Sequence, residues 1–206
     1  TAAVVVAALS SATFRVVGPL FGERIGLTFT EKAWYLSAFV LGGAIEQVPA
    51  GWLADKYDRR KVMIGLSIAA IICSVVTASV NSMEPNVVFL LIFLFGATAF
   101  PIYSVAAAHA NDFATEEQRV ELSAALMFFY AVGAIAAPIA ASRLIELFGP
   151  SAMFLMISGA HGILILFSGG RMLARPTSRS RTPYIWTPRT SFTLGNLLGR
   201  SRDEKR

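Results

Sequence analysis

The feature that most constrains this chain is a succession of six apolar runs, each about long enough to cross a bilayer as a helix. They lie over residues 1–21, 29–54, 61–80, 86–110, 117–147 and 151–173. About 20 predominantly apolar residues span the hydrocarbon core, where each backbone N–H and C=O must be bonded internally. Composition agrees: 55% of residues are hydrophobic and 15% charged, too apolar for a soluble domain that must cover its surface with polar groups. The expected fold class is therefore all-α, a polytopic membrane bundle of six transmembrane helices over residues 1–173. A basic tail over 174–206 follows it.

Helix signals punctuate the connections. "TFTE" at 28–31 and "TEEQ" at 115–118 have the spacing of capping boxes and predict the starts of the second and fifth helices. Pro85 suits the first turn of the fourth helix, and Gly149-Pro150 separates the fifth from the sixth. Short loops make consecutive helices antiparallel neighbours. The chain has one cysteine, Cys73, so no intrachain disulfide can form. Its first run lacks both an initiator Met and a basic leader, and we expect the chain to begin part-way through a longer protein.

A formal charge of +5 does not point to nucleic acid, because of where the bases lie. Lys56, Arg59, Arg60, Lys61, Arg119 and the bases from Arg171 onward fall on one side of the predicted membrane, while Arg24 and Lys32 fall on the other. That asymmetry orients a bilayer protein and predicts that both ends of the chain are cytoplasmic. The tail, rich in Arg, Ser, Thr and Pro, is expected to be disordered or to lie on the anionic inner leaflet.

The loop "GWLADKYDRRKV" over residues 51–62 stands out between the second and third runs. It resembles the signature loop of the major facilitator superfamily, roughly G-x-L-A-D-R-x-G-R-R/K, at the position and on the side where that family places it. "YAVGAIAAPIAA" resembles the family's Gly/Pro-rich fifth helix. "FPIYSVAAAHAND" together with "LGGAIEQVPAGWLAD" is similar to the C-terminal half of bacterial sugar-transporter-like permeases. The resemblance covers about residues 13–173. It implies a 3+3 inverted repeat forming one half of a transporter, with a missing N-terminal six-helix half as partner and the cell inner membrane as location. It further implies secondary active transport of a small-molecule solute by alternating access, with proton coupling an option. Gly51, Asp55, Arg59 and Arg60 become gating residues. One letter departs from the pattern: Asp58 stands where the family has Gly.

The loop's charges also have a local chemistry. Asp55, ending the second helix, can face the N-terminus of the fifth helix, where unpaired amides favour negative charge. Arg59 and Arg60 can pair with Asp112, Glu116 or Glu117 in the neighbouring loop. Contacts made in one conformation and broken in another would bias alternating access. The plainer alternative is anchoring at the membrane surface, with exposed pairs worth about 0–1 kcal/mol each.

Ionisable groups within the runs are functional candidates by default. The resemblance makes the first and fourth helices line a cavity, so Arg15, Tyr103 and Ser104 are substrate-facing candidates, and Glu46 is a candidate proton carrier. Arg15 can instead snorkel to the interface. His109, with Asn111 and Asp112, reads as a helix end with its charge pairs, and Arg143 with Glu146 as a structural pair three residues apart. His161 reads as packing or a local hydrogen bond, and Tyr130, which could hydrogen-bond in the cavity, reads more readily as packing. Pro49 and Pro138 are expected to bend their helices.

Two other readings were weighed. An intramembrane serine enzyme would need a nucleophile elbow, and "GLSI" and "ISGAHG" do not supply G-x-S-x-G. A non-transporting scaffold or sensor remains as the second alternative. Two isolated His and one Cys predict no metal site, no phosphate-binding loop is present, and no cofactor is expected.

Overall fold

A computed structural model describes residues 1–79 and 84–174; the predicted tail from residue 175 onward lies outside them. The described residues form α1 (Ala2–Arg24), α2 (Phe29–Lys56), α3 (Arg59–Ala78), α4 (Pro85–Ala99), α5 (Pro101–Asn111), α6 (Arg119–Phe148) and α7 (Ala152–Ala174). Taking α4 and α5 as one path over Pro85–Asn111, five elements are long and apolar enough to cross a membrane: α1, α3, α4–α5, α6 and α7. The sixth, α2, has 28 residues, which at a rise of about 1.5 Å each also suffices.

Local chemistry sets most boundaries. Thr28 and Glu31 form the complete capping box: the Glu31 amide donates to Thr28 Oγ1 at 3.3 Å and the Thr28 amide to Glu31 Oε2 at 2.8 Å. The second predicted box closes only by half. The Thr115 amide donates to Gln118 Oε1 at 3.2 Å, but residues 115–118 turn on themselves and α6 begins at Arg119 rather than Glu117. Gly149 ends α6 with φ +82, a left-handed region where a Cβ would be strained, and this fixes the α6–α7 turn.

The fourth span follows the single helical path expected, Pro85–Asn111, and Phe100 itself keeps α-helical backbone with φ −64 and ψ −46. Its hydrogen-bond ladder lacks one rung there, because Pro101 has no N–H to donate to the Ala97 carbonyl. Pro49 and Pro138 sit inside uninterrupted helices.

Packing follows an inverted repeat. The most extensive helix pairs are α2 with α4, α1 with α6, and α3 with α7. Exchanging α1 with α4–α5, α2 with α6 and α3 with α7 maps the first two pairs onto each other and the third onto itself. A buried aromatic cluster of Phe14, Tyr35, Phe39, Phe95 and Phe154 joins α1, α2, α4 and α7. The α2–α4 seam is closed by reciprocal glycines. A Cβ on Gly42 would collide with the Phe93 carbonyl, and one on Gly96 with the Phe39 carbonyl. Small residues are how membrane helices bring backbones together where lipid supplies no hydrophobic drive.

Candidate solute cavity and charged latch

Phe100, beside the missing Pro101 hydrogen bond, adjoins the site. A cavity of about 460 Å³ lies beside it, lined from α1 by Ala7 and Ser11, from α2 by Gln47, from the α4–α5 path by Ala99, Phe100, Tyr103 and Ser104, and from α6 by Met127 and Tyr130. Phe100 packs on Gly43, whose missing Cβ makes room for the ring, and its centroid lies 4.9 Å from that of Phe39. About one helical turn beyond Phe100, Tyr103 and Ser104 line the cavity. Ser104 Oγ donates to Gln47 Oε1 at 2.9 Å, and the Tyr103 and Tyr130 rings meet edge to face at 5.3 Å.

Arg15 reaches the cavity edge rather than pointing away to the interface. Its side chain folds back along α1: Nε donates to the Ser11 carbonyl at 3.1 Å, and Nη2 to Ser11 Oγ at 2.9 Å and Tyr130 Oη at 3.3 Å. Ser11 Oγ and Tyr130 Oη are themselves 3.2 Å apart. Tyr130, expected to pack more than to hydrogen-bond in the cavity, presents its hydroxyl to the site. Gln47 and Ser11 were not singled out in advance, although both are polar letters in apolar runs. Glu46 is half-buried one position before Gln47, and among the described residues nothing pairs with it.

At one end of the bundle lies the charged latch. The Arg59 guanidinium donates through Nη1 to Asp112 Oδ1 at 2.7 Å and to the Ala108 carbonyl, through Nη2 to Asp55 Oδ1 at 3.3 Å, and through Nε to the Ala54 carbonyl at 3.4 Å. One side chain therefore ties the start of α3 to the ends of α2 and α5. Both carbonyls belong to helix C-termini, which favour a cation. Asp55 is engaged here by Arg59, a different partner from the α6 N-terminus expected for it. Arg60 pairs with Asp58 at 3.4 Å, within its own turn. Asp58 itself caps α3, accepting from the Arg60 amide at 3.0 Å with φ −61, so this position needs no glycine conformation. Gly51 meets nothing within 4 Å of the place its Cβ would take.

The remaining candidates are structural. His109 stacks edge to face on Phe113 at the α5 end, and Arg143 pairs with Glu146 at 2.9 Å on the surface. His161 is fully buried and its bond is not local: Nε2 lies 2.9 Å from Ser10 Oγ across the α7–α1 interface.

Comparison with known proteins accords with this architecture. The family model described as Major Facilitator Superfamily matches residues 1–202. An uncharacterized MFS-type transporter of Yersinia pestis (strain Pestoides F) is 28% identical over 166 residues, 81% of this chain and 41% of that protein. The MFS-type transporter YcaD of Escherichia coli O17:K52:H18 is 30% identical over 148 residues, 72% of this chain and 37% of the relative. The chain therefore spans about two-fifths of these relatives' length. The crystal structure of the POT family transporter PepTSo superposes with a TM-score of 0.73 at 13% identity, covering 97% of this chain and 44% of that one, and shares the fold. A multi-pass helical bundle with an inverted repeat, matched by this family along nearly its whole length, belongs to the Major Facilitator Superfamily of membrane transporters.

Proposed function

We propose that this chain is the second half of a secondary transporter of the inner membrane, moving a small solute by alternating access with both of its ends cytoplasmic. The observation that carries the reading is the cavity: its polar groups come from both inverted repeats, Ser11 and Gln47 on α1 and α2, and Tyr103, Ser104 and Tyr130 on the α4–α5 path and α6. A site built where two repeats meet changes its exposure when the repeats rock. The Arg59–Asp112–Asp55 contacts support the reading of a latch that would hold one mouth shut when made and open it when released. Glu46 is our choice of proton carrier, since it is a half-buried carboxyl inside α2 that nothing pairs with among the described residues.

The test is accessibility from each side. A cysteine at Ser104 in the full-length protein, in a Cys73→Ser background, is labelled with a membrane-impermeant maleimide from either face of oriented vesicles. Labelling from both faces, shifted toward the cytoplasmic face by Arg59→Ala, is expected. Labelling from one face only under every condition would overturn alternating access.

A further inference from the structure

We infer that the cavity selects an organic monoanion: a carboxylate held by Arg15 and Tyr130, with a flat apolar body and one hydrogen-bonding group at the far end. This deepens the transport reading above and rests on it. Three observations converge. The guanidinium is fixed at the cavity edge by Ser11 and Tyr130, yet Nη1 makes no hydrogen bond among the described residues and its donors remain available. Its fork geometry matches a carboxylate, and the Tyr130 hydroxyl beside it supplies another donor. None of the residues that line the cavity is acidic, so a cation would meet Arg15 with no counter-charge.

Much of the cavity lining is apolar. Ala7, Ala99, Phe100 and Met127 share the lining with the edge-to-face pair of Tyr103 and Tyr130. A polyol would leave hydroxyls unpaired against those side chains, whereas an aromatic ring stacks on them. The Ser104–Gln47 bond uses Gln47 Oε1 and leaves the Gln47 amide N–H groups and a Ser104 lone pair for a single polar substituent.

The experiment measures equilibrium binding to the full-length protein in nanodiscs, against empty nanodiscs, of 3-(4-hydroxyphenyl)propionate and its primary amide. At about pH 7 the acid is ionised while the amide is a neutral compound of the same shape. The acid is expected to bind about tenfold tighter. Arg15→Gln should abolish that preference while leaving the amide's affinity, and Tyr130→Phe should reduce it without abolishing it. Arg143→Gln, on the exposed surface, should leave it intact. Equal binding of acid and amide, a preference that survives Arg15→Gln, or no binding of either above empty discs would each overturn the assignment. Flux of the same pair in proteoliposomes separates the two claims. Acid preference in binding without any flux keeps the site and sinks the transport reading. Flux without acid preference does the reverse.

Discussion

Arg59 and Asp112, 53 positions apart in sequence, meet at 2.7 Å and join the start of α3 to the residue that follows α5. The guanidinium also holds Asp55 and two helix-end carbonyls, so a single side chain reads the relative position of α2, α3 and α5. Both carboxylates are partly exposed, which limits the pair's direct worth to about 1 kcal/mol. Its effect on a two-state equilibrium can still be several-fold in population.

The first prediction concerns that latch. Arg59→Ala and Asp112→Asn should each impair transport while the protein still reaches the membrane, and the double variant should be little worse than either single one. The coupling is read from a double-mutant cycle on transport rate. Unchanged transport at normal surface expression in both single variants would reduce the latch to membrane anchoring.

The second prediction concerns the α2–α4 seam. Gly42→Ala or Gly96→Ala forces a methyl into a facing backbone carbonyl, which cannot move away as a flexible side chain would. Overpacking of this kind should cost about 3 kcal/mol, read as a lowered thermal midpoint in detergent. Gly159→Ala and Gly162→Ala have nothing within 4 Å and should be neutral or slightly stabilising.

A third prediction concerns the buried polar contact between α7 and α1. His161 Nε2 pairs with Ser10 Oγ, while His161 Nδ1 is buried without a partner. Ser10→Ala leaves the imidazole with neither nitrogen bonded and should destabilise the fold by about 1–3 kcal/mol. His161→Leu in that background should recover much of the loss by removing the orphaned group. An additive loss in the double variant would show that the two residues do not interact.

A fourth prediction separates proton coupling from passive support. Glu46→Gln keeps the side chain's shape and hydrogen-bonding capacity but removes its titration. Transport measured across a pH series should lose its pH dependence while retaining substrate affinity. A full pH profile in Glu46→Gln would end the proton-carrier role.

Much of this molecule was legible before any coordinates. The six spans follow from hydropathy, and the α2 start from Thr28 and Glu31, because both are decided within a few residues. The "TEEQ" box failed by half for an equally local reason: residues 115–118 satisfy one another in a turn before the helix begins. The missing hydrogen bond in the fourth span had its cause in view at Pro101, yet a strongly apolar run masks a proline, and hydropathy alone does not register a missing N–H. Tyr103 and Ser104, substrate-facing candidates by the family resemblance, line the cavity, while Arg15, the third, is not in the lining and bonds to Ser11 and Tyr130, which are.

The sequence by itself determined that the chain is a membrane bundle of six spans, which ends carry the basic residues, and that the 51–62 loop carries a family signature. These are local properties, set by runs of apolar residues and by spacing. Only the tertiary structure decided the partners. It joined Arg59 to Asp112, seated Gly42 rather than Gly51 against a backbone, turned Tyr130's hydroxyl to Arg15, and paired His161 with Ser10 at a separation of 151 residues. Such choices depend on which helix faces pack together, and no single segment encodes that. They are settled when the two inverted repeats close on one another and their polar groups must find partners away from water.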